Sequence, residues 1–193
     1  MPSVDDLRHA LGEAELRLPP GETEFRRKVI AEAEPPGYAA AEPPLDPRRA
    51  AVLEEARGWL GTPYHHMGRI KGAGIDCLTL LAEVYAAAGV IAPVVDLPFY
   101  RPDFMFHSEL ETYLNGLLEA GGRPVEAPLP GDVAIFRRFD WRIFGHTAIV
   151  VAWPDVIHAV PGQPPRHGCS RADASSAWFR QYVVKFLSPF AAA

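Results

Sequence analysis

Apolar residues recur at helical spacing in two neighbouring stretches near the middle of the chain. The first stretch, residues 46–61, opens with an Asp-Pro pair, which suits a helix start, and closes at a glycine. The second begins at Gly74 or Asp76 and ends at Gly89. Because it is apolar around nearly its whole circumference, it is predicted to be a buried central helix.

Further along, a third helix is predicted to open with a capping box at Ser108–Glu111 and to stop at Gly121. From residue 129 the spacing of apolar positions changes from helical to alternating, which indicates strands. The predicted strands cover residues 132–139, 146–153, 156–160 and 181–187. Helices followed by an antiparallel sheet predict the α+β class, with the central helix packed on the sheet.

The N-terminal part of the chain has a different character. Residues 1–34 are predicted to form two short helices, and residues 35–44 form a proline-rich, extended connector. We therefore divide the chain into an N-terminal arm and connector, residues 1–46, and one domain, residues 47–193. Such an arm is expected to dock on its own domain or on a partner protein.

Composition narrows the function classes. The formal net charge is -5, and no cluster of Lys or Arg is present, which argues against a nucleic-acid surface. No apolar run approaches the length of a membrane span, and the N-terminus lacks the apolar core of a signal peptide. The expected site of synthesis is the cytoplasm, without a readable export signal. The two cysteines form no disulfide framework or CxxC motif, and both are interpreted as free thiols.

Cys77 is the strongest candidate for chemistry, because it falls in the first turn of the central helix. Unpaired N–H groups and the helix dipole at that position favour a thiolate, the nucleophilic form of cysteine. The alternative is a small buried core cysteine, which is the common environment of a free thiol.

A cysteine nucleophile needs a base within hydrogen-bond reach and a group to orient that base. Three of the seven histidines, His9, His107 and His167, fall where solvated or capping residues are expected. His65 and His66 lie in the loop before Cys77 and could line the site, although adjacent loop residues usually point in different directions.

His146 and His158 fall on successive predicted strands and are separated by 12 residues. This even spacing lets both side chains share one face of a sheet. A register centred on Ala152 would place them directly opposite each other, and a bulge is expected because of the turn at Pro154. Each histidine alone would be interpreted as a hydrogen-bonded residue at a strand end. A zinc site made by Cys77 and the two histidines is a further alternative.

Several motifs occur together in a recognisable order, namely GTPY, DC at a helix start, PGDVAIF, GHTAIVV and VIHA. This order resembles the NlpC/P60 family of papain-like cysteine peptidases. TPYHHMGRIKGAGIDC, LLAEVYAAAGVI, FYRPDFMFH and IVVAWPDVIHA are similar to members encoded with bacteriophage tail and gene-transfer-agent genes. The resemblance covers roughly residues 47–187, so the arm lies outside it.

The resemblance implies a catalytic triad of Cys77, His146 and His158, with Tyr64 near the nucleophile and Asp76 lining the site that receives the N-terminal side of the peptide. It implies hydrolysis of peptidoglycan stem peptides, typically between D-γ-glutamate and diaminopimelate, with no cofactor. It also implies a place in a virion. The arm lies outside the resemblance, and we expect it to contact tail tip or hub proteins. The family often has Asp-Cys-Ser-Gly at the nucleophile, whereas Leu78-Thr79 follows Cys77 here.

The expected mechanism has a His146 imidazolium beside a Cys77 thiolate, with His158 orienting His146. The N–H of Cys77 and the hydroxyl of Tyr64 would stabilise the oxyanion. Transfer of the acyl group to an amine instead of water uses the same thioester and stays open. A structural tail-tip or hub assembly protein that keeps the fold with little or no activity is the alternative function.

Overall fold

The computed structural model describes residues 45–162 and 167–190. The predicted arm, apart from its last two residues, therefore lies outside the described residues, and so does His9. Four α-helices and one 3-10 turn are present in the described residues: α1 Pro47–Arg57, α2 Cys77–Ala87, α3 Phe104–His107, α4 Thr112–Glu119 and the turn Phe179–Gln181.

The strands form a short hairpin and one larger sheet. The hairpin consists of β1 Arg69–Ile70 and β2 Gly74–Ile75. The six strands of the sheet are β3 Arg123–Val125, β4 Val133–Arg138, β5 His146–Ala152, β6 Asp155–Val160, β7 Gly168–Asp173 and β8 Tyr182–Ser188. Their order is β3-β8-β4-β5-β6-β7, and all neighbours are antiparallel. The predicted α+β class, with a central helix on an antiparallel sheet, is confirmed.

The two faces of the sheet bury different side chains, because successive residues of a strand point to opposite sides. On one face, Ile135, Ile149 and Ile157 pack in the main core with residues of α1 and α2. On the other face, Phe136 and Val156 form a smaller core with Phe179 of the 3-10 turn. The helix that begins with Cys77 thus belongs to the first face.

Helix α1 begins as predicted. The carboxylate of Asp46 accepts a hydrogen bond of 2.8 Å from the N–H of Arg48, and Pro47 occupies the first turn, where a missing N–H costs nothing. The helix ends at Arg57, before the predicted Gly61. The chain then makes a turn that pairs Gly61 and Thr62 with Cys169 of β7.

A buried ion pair fastens α1 to the sheet. The guanidinium of Arg49 donates to the carboxylate of Asp132 at 2.9 Å and to the carbonyl of Pro130 at 2.8 Å. The ring of Phe190 lies 4.2 Å from the guanidinium carbon. Because Asp132 is almost fully buried, the charged partner and the additional hydrogen bonds offset the cost of removing its carboxylate from water.

The predicted capping box at Ser108–Glu111 is wrong. Helix α4 begins at Thr112 and has no side-chain cap. The hydroxyl of Ser108 donates instead to the carbonyl of Leu110, and the carboxylate of Glu111 accepts from the N–H of Phe144. The Glu111 side chain, which the local pattern assigned to the helix cap, therefore contacts a distant segment of the chain instead.

The register between β5 and β6 also differs from the prediction. His158 lies directly opposite Ala148, so His146 is its diagonal neighbour on the same face. The expected irregularity is present between Val150 and Ala152. Strands β3 and β7 and the β1–β2 hairpin were not predicted, because each is short or alternates polar with small residues.

Candidate active site

Cys77 is the first residue of α2, and the residue before it fixes the start of this helix. One oxygen of the Asp76 carboxylate accepts hydrogen bonds from the N–H groups of Leu78 and Thr79, at 3.1 and 2.9 Å. The hydroxyl of Thr79 accepts in return from the N–H of Asp76 at 3.0 Å. This reciprocal capping box uses the residue that stands two positions after the cysteine, and it holds Cys77 in the first turn.

The second oxygen of Asp76 ties the helix start to two other segments. It accepts from the N–H of Met67 at 2.7 Å and from the hydroxyl of Tyr100 at 2.5 Å. Asp76 is only 1% exposed, and protein donors engage both of its oxygens. The structure thus places Asp76 next to the nucleophile as a cap beneath the surface, and its predicted contact with a peptide stays a prediction.

The thiol of Cys77 is neutral in this environment. Burial and, to a smaller extent, the nearby Asp76 carboxylate raise the pKa of Cys77 to about 11, although hydrogen bonds with Thr147 and Tyr113 act in the opposite direction. The expectation of a thiolate rested on the helix N-terminus alone. Desolvation of the sulfur and the adjacent carboxylate outweigh that effect.

Polar contacts of Cys77 come from two residues that the sequence did not single out. The hydroxyl of Tyr113, on α4, lies 3.9 Å from the sulfur. The hydroxyl of Thr147, on β5, donates to the carbonyl of Cys77 at 2.9 Å. Tyr113 fitted the apolar stripe of its helix and Thr147 the alternation of its strand, so no local signal distinguished them.

Tyr64 lies in the loop that runs alongside Cys77. It forms an isolated parallel bridge with Ile75, two residues before the cysteine. Burial raises the pKa of Tyr64, and the neighbouring Cys77 and Asp76 raise it further when they are charged. The hydroxyl of Tyr64 is therefore a proton donor at neutral pH, which is the form that its predicted role requires.

His146 and His158 form a buried pair. The Nε2 atom of His146 and the Nδ1 atom of His158 are 3.0 Å apart, which is a hydrogen bond. The side chain of Trp178 lies edge-on to both imidazoles, with ring centroids 6.3 and 5.9 Å away. Phe179 covers His158 as well.

This apolar surrounding favours neutral imidazoles. Burial lowers the pKa of His158 to about 4, and burial together with His158 lowers the pKa of His146 well below its ordinary value. With a neutral thiol and a neutral imidazole, the resting protein does not favour the predicted ion pair between Cys77 and His146, because both charges would be desolvated.

The start of β5 contacts Cys77 through Thr147, not through His146. Thr147, which follows His146, is hydrogen-bonded to the Cys77 backbone on the helix-facing side of the sheet. The ring of His146 belongs to the other side, where it packs with Phe136 and the His158 ring. In the described part of the chain, no hydrogen bond joins the Cys77 thiol to either histidine.

His65 and His66 have different environments. The Nε2 atom of His66 donates to the carbonyl of Tyr100 at 2.7 Å, and its Nδ1 atom lies 3.6 Å from Asp76. His65 is exposed, and its Nδ1 atom lies 2.9 Å from the carbonyl of His66. As predicted for adjacent loop residues, only one of the two turns towards the interior of the site.

The histidines that were expected to be solvated lie away from this centre. His107, at the end of α3, is exposed and lies 3.2 Å from the carboxylate of Asp103. His167 is exposed just before β7. Neither of them lines the groove beside Cys77.

A groove of about 670 Å³ opens beside Cys77. Its lining is mostly apolar and comes mainly from α2, from α4 and from the segment between them, with Cys77, Leu81, Phe104, Tyr113 and Leu117 among its walls. Residues 92–101 of that segment have no regular secondary structure. The groove gives the sulfur a space that a ligand can enter.

Side-chain hydrogen bonds hold residues 92–101 in place. These residues have no helix or strand hydrogen bonds of their own to satisfy their carbonyl groups. The guanidinium of Arg69 donates to the carbonyl of Val94 at 2.6 Å and also contacts Glu83. Val95 and Phe99 on this segment remain 81% and 77% exposed. The β1–β2 hairpin, which carries Arg69, thus supports one rim of the groove.

Neither a cluster of metal-ligating side chains nor a membrane-spanning helix is present in the described residues. Within residues 45–162 and 167–190, no group of three or more His, Cys, Asp or Glu side chains is arranged to hold a metal ion. A zinc site of Cys77, His146 and His158 would need such a group. Among the helices in the same ranges, none has the length and apolarity needed to cross a membrane.

Comparison with known proteins gives a fold. No protein-family model matches the chain, and no curated protein gives a significant match. NlpC1 from Trichomonas vaginalis is similar in structure, with a TM-score of 0.50 and 17% identity, over 76% of this chain and 45% of that chain. The likeness thus spans less than half of the length of that protein.

Two further solved structures are similar over most of their own length. The NlpC/p60 domain of the peptidoglycan hydrolase SagA has a TM-score of 0.47 and 22% identity, over 72% of this chain and 97% of that chain. RipD from Mycobacterium tuberculosis, described as a non-catalytic NlpC/p60 domain protein adapted to peptidoglycan binding, has a TM-score of 0.43 and 14% identity, over 74% and 97%. The expected NlpC/P60-like fold is confirmed by the likeness to NlpC1, with its TM-score of 0.50.

Proposed function

We propose that the protein is a cysteine hydrolase that cleaves stem peptides of peptidoglycan, with Cys77 as the nucleophile. One observation carries the proposal. Cys77 lines a groove of about 670 Å³, and its backbone carbonyl accepts a hydrogen bond from Thr147. Thr147 directly follows His146, which is buried and hydrogen-bonded to His158. Thr147 thus connects the backbone of the proposed nucleophile to the strand that carries the candidate base, which supports the proposal.

His146 is the general base in this proposal, and His158 is its positioning residue. The Nε2 atom of His146 is engaged by His158, so its Nδ1 atom is the nitrogen with no hydrogen-bond partner in the described residues. A His146 that donates from Nε2 carries a lone pair on Nδ1, as a base requires. For the reaction, that nitrogen and the sulfur must come into contact, and catalytic hydrogen bonds often tighten only when substrate is bound.

The neutral resting state determines the order of proton transfer. Since burial keeps both the thiol and the imidazole neutral, His146 takes the proton as the sulfur attacks the peptide carbonyl. A carbon–sulfur bond forms, and the N–H of Cys77 and the hydroxyl of Tyr64 stabilise the oxyanion. The imidazolium then protonates the leaving amine, which gives a thioester, and water hydrolyses it to release the acid and restore the thiol.

The substrate class rests on the sequence motifs that resemble NlpC/P60 peptidases. Leu78 stands in the place of the usual serine and lines the groove with an apolar side chain, so the hydroxyl of that serine is missing. Thr79, in the place of the usual glycine, uses its hydroxyl in the helix cap. Recognition of the stem peptide would therefore depend on the groove walls and on the loop that carries Tyr64.

The motifs shared with tail-encoded members support a role in a bacteriophage or gene-transfer-agent particle, where the protein would act on the host cell wall. Residues 1–46 would attach the domain to tail tip or hub proteins. The presence of the protein in purified tails, and its loss from them after deletion of residues 1–46, would support this location. Tails that retain the shortened chain would contradict the role of the arm.

Incubation of the protein with purified cell-wall sacculi tests the hydrolase. We expect soluble stem-peptide fragments in the mass spectrum, and none with Cys77→Ala. Cys169→Ala is the matched control, because Cys169 is the second free thiol and is buried in the main core away from the groove lining. The control should retain activity, and fragments released equally by Cys77→Ala would exclude Cys77 as the nucleophile.

A second candidate function is an assembly component that keeps the fold without catalysis. It is favoured by the absence, within the described ranges, of a hydrogen bond between the Cys77 thiol and an imidazole. This candidate predicts that neither wild type nor Cys77→Ala releases fragments, whereas particles that lack the protein fail to assemble. Normal assembly with Cys77→Ala, together with loss of cell-wall cleavage, would exclude it.

A further inference from the structure

The thiol and carbonyl of Cys77 form a closed ring of contacts with two hydroxyl groups. The sulfur of Cys77 lies 3.9 Å from the hydroxyl of Tyr113. That hydroxyl lies 2.8 Å from the hydroxyl of Thr147, which in turn lies 2.9 Å from the carbonyl of Cys77. The ring joins the start of α2 to α4 and β5, and both Tyr113 and Thr147 are buried.

The direction of each hydrogen bond follows from the carbonyl, which can only accept. The hydrogen of the Thr147 hydroxyl is therefore engaged by the carbonyl of Cys77. The oxygen of Thr147 then accepts from Tyr113, so the hydrogen of Tyr113 is also engaged. The oxygen of Tyr113 is left to accept a weak hydrogen bond from the thiol in the resting protein.

We propose that Tyr113 is a positioning residue that governs the protonation of Cys77, with Thr147 fixing the direction of its hydroxyl in the resting protein. When the sulfur loses its proton, the hydroxyl of Tyr113 turns and donates to the thiolate. Thr147 also lowers the pKa of Cys77 through hydrogen bonds, so both hydroxyl groups of the ring act on the sulfur. Tyr113 thus acts on the nucleophile from outside the triad of the proposed function.

The two protonation states use this contact with unequal strength. A thiol is a weak donor to the Tyr113 oxygen, whereas a thiolate is a charged acceptor for the Tyr113 hydrogen. Removal of the hydroxyl therefore costs the thiolate more than the thiol. This agrees with the direction in which the hydrogen bond of Tyr113 acts on the pKa of Cys77, because that hydrogen bond lowers the pKa whereas burial raises it.

The test measures the rate of alkylation of Cys77 by iodoacetamide as a function of pH, in the full-length protein without substrate. Tyr113→Phe should move the midpoint of the profile upward by about one pH unit. Tyr85→Phe is the matched control, since its buried hydroxyl donates to the carbonyl of Gly131 instead. This control should leave the midpoint unchanged.

An unchanged or lower midpoint for Tyr113→Phe, or an equal shift in the Tyr85→Phe control, would overturn the proposal. The ultraviolet absorbance of the thiolate, followed in a Cys169→Ala background, provides a second measurement of the same midpoint. Since neither measurement needs catalysis, an inactive protein that shows the shift would contradict the hydrolase and leave the role of Tyr113 standing. An active protein without the shift would support the hydrolase and contradict the role of Tyr113.

Discussion

The hydroxyl of Tyr100 donates a hydrogen bond of 2.5 Å to the carboxylate of Asp76. This contact links the irregular wall of the groove to the cap of the helix that carries Cys77. Burial and the Asp76 carboxylate raise the pKa of Tyr100, so its hydroxyl stays a donor at neutral pH. The groove wall and the nucleophile are thus positioned by the same carboxylate.

Tyr100→Phe should lower the free energy of unfolding by about 1–2 kcal/mol, because the buried Asp76 oxygen loses one of its two donors. Amide hydrogen exchange in residues 92–103 should accelerate in the same variant. Denaturant unfolding and exchange mass spectrometry check the two effects. Tyr182→Phe is the control, since no hydrogen bond of its hydroxyl occurs in the described residues, and an equal loss of stability there would contradict the assignment.

Local patterns were sufficient to predict the elements that depend on neighbours in sequence. The cap at Asp76, the helix start at Pro47 and the strands that begin near Val133 and His146 all follow from short-range spacing and hydrogen bonding. The even spacing of His146 and His158 also predicted their common face, although their exact register depended on an irregularity in the strand.

Contacts between distant segments could not be predicted in this way. Glu111 looks like a capping residue, yet its carboxylate accepts from the N–H of Phe144, 33 residues away. Tyr113 and Thr147 meet Cys77 only because α4, β5 and α2 pack together. The start of the helix predicted a thiolate, whereas burial keeps the thiol of Cys77 neutral. Burial is a property of the folded chain that the spacing of residues does not reveal.

Gly168 occupies a position at the edge of the sheet that a side chain cannot share. Its φ angle is +90°, and a Cβ atom there would overlap the carbonyl oxygen of Thr62. That carbonyl accepts from the N–H of Cys169, so it cannot move without loss of the pairing. Gly168→Ala should therefore lower the free energy of unfolding by about 3 kcal/mol.

Gly116 offers the opposite case in the same protein. It lies inside α4 and is exposed, and apart from its own helix backbone and chain neighbours no atom lies within 4 Å of the position that a methyl group would take. Gly116→Ala should therefore raise the free energy of unfolding by about 1 kcal/mol. Denaturant unfolding of both variants provides the measurement. Equal effects of the two substitutions would contradict the close approach at Gly168.

Acid should destabilise the protein through the buried histidine pair. Burial lowers the pKa of His158 from 6.5 to about 4 and that of His146 in the same direction. Below pH 6.5 the unfolded chain therefore binds protons that the folded chain does not, so the free energy of unfolding falls as the pH falls. For His158 the loss should reach about 3 kcal/mol and level off below pH 4.

His158→Gln should remove this share of the pH dependence and leave a flatter curve of unfolding free energy between pH 4 and 6.5. His107→Gln is the control, because His107 is exposed and should leave the curve as in the wild type. Denaturant unfolding at a series of pH values checks both. A wild-type curve that is flat over this range would mean that the two imidazoles titrate as exposed groups, and the buried hydrogen-bonded pair that orients His146 would then be contradicted.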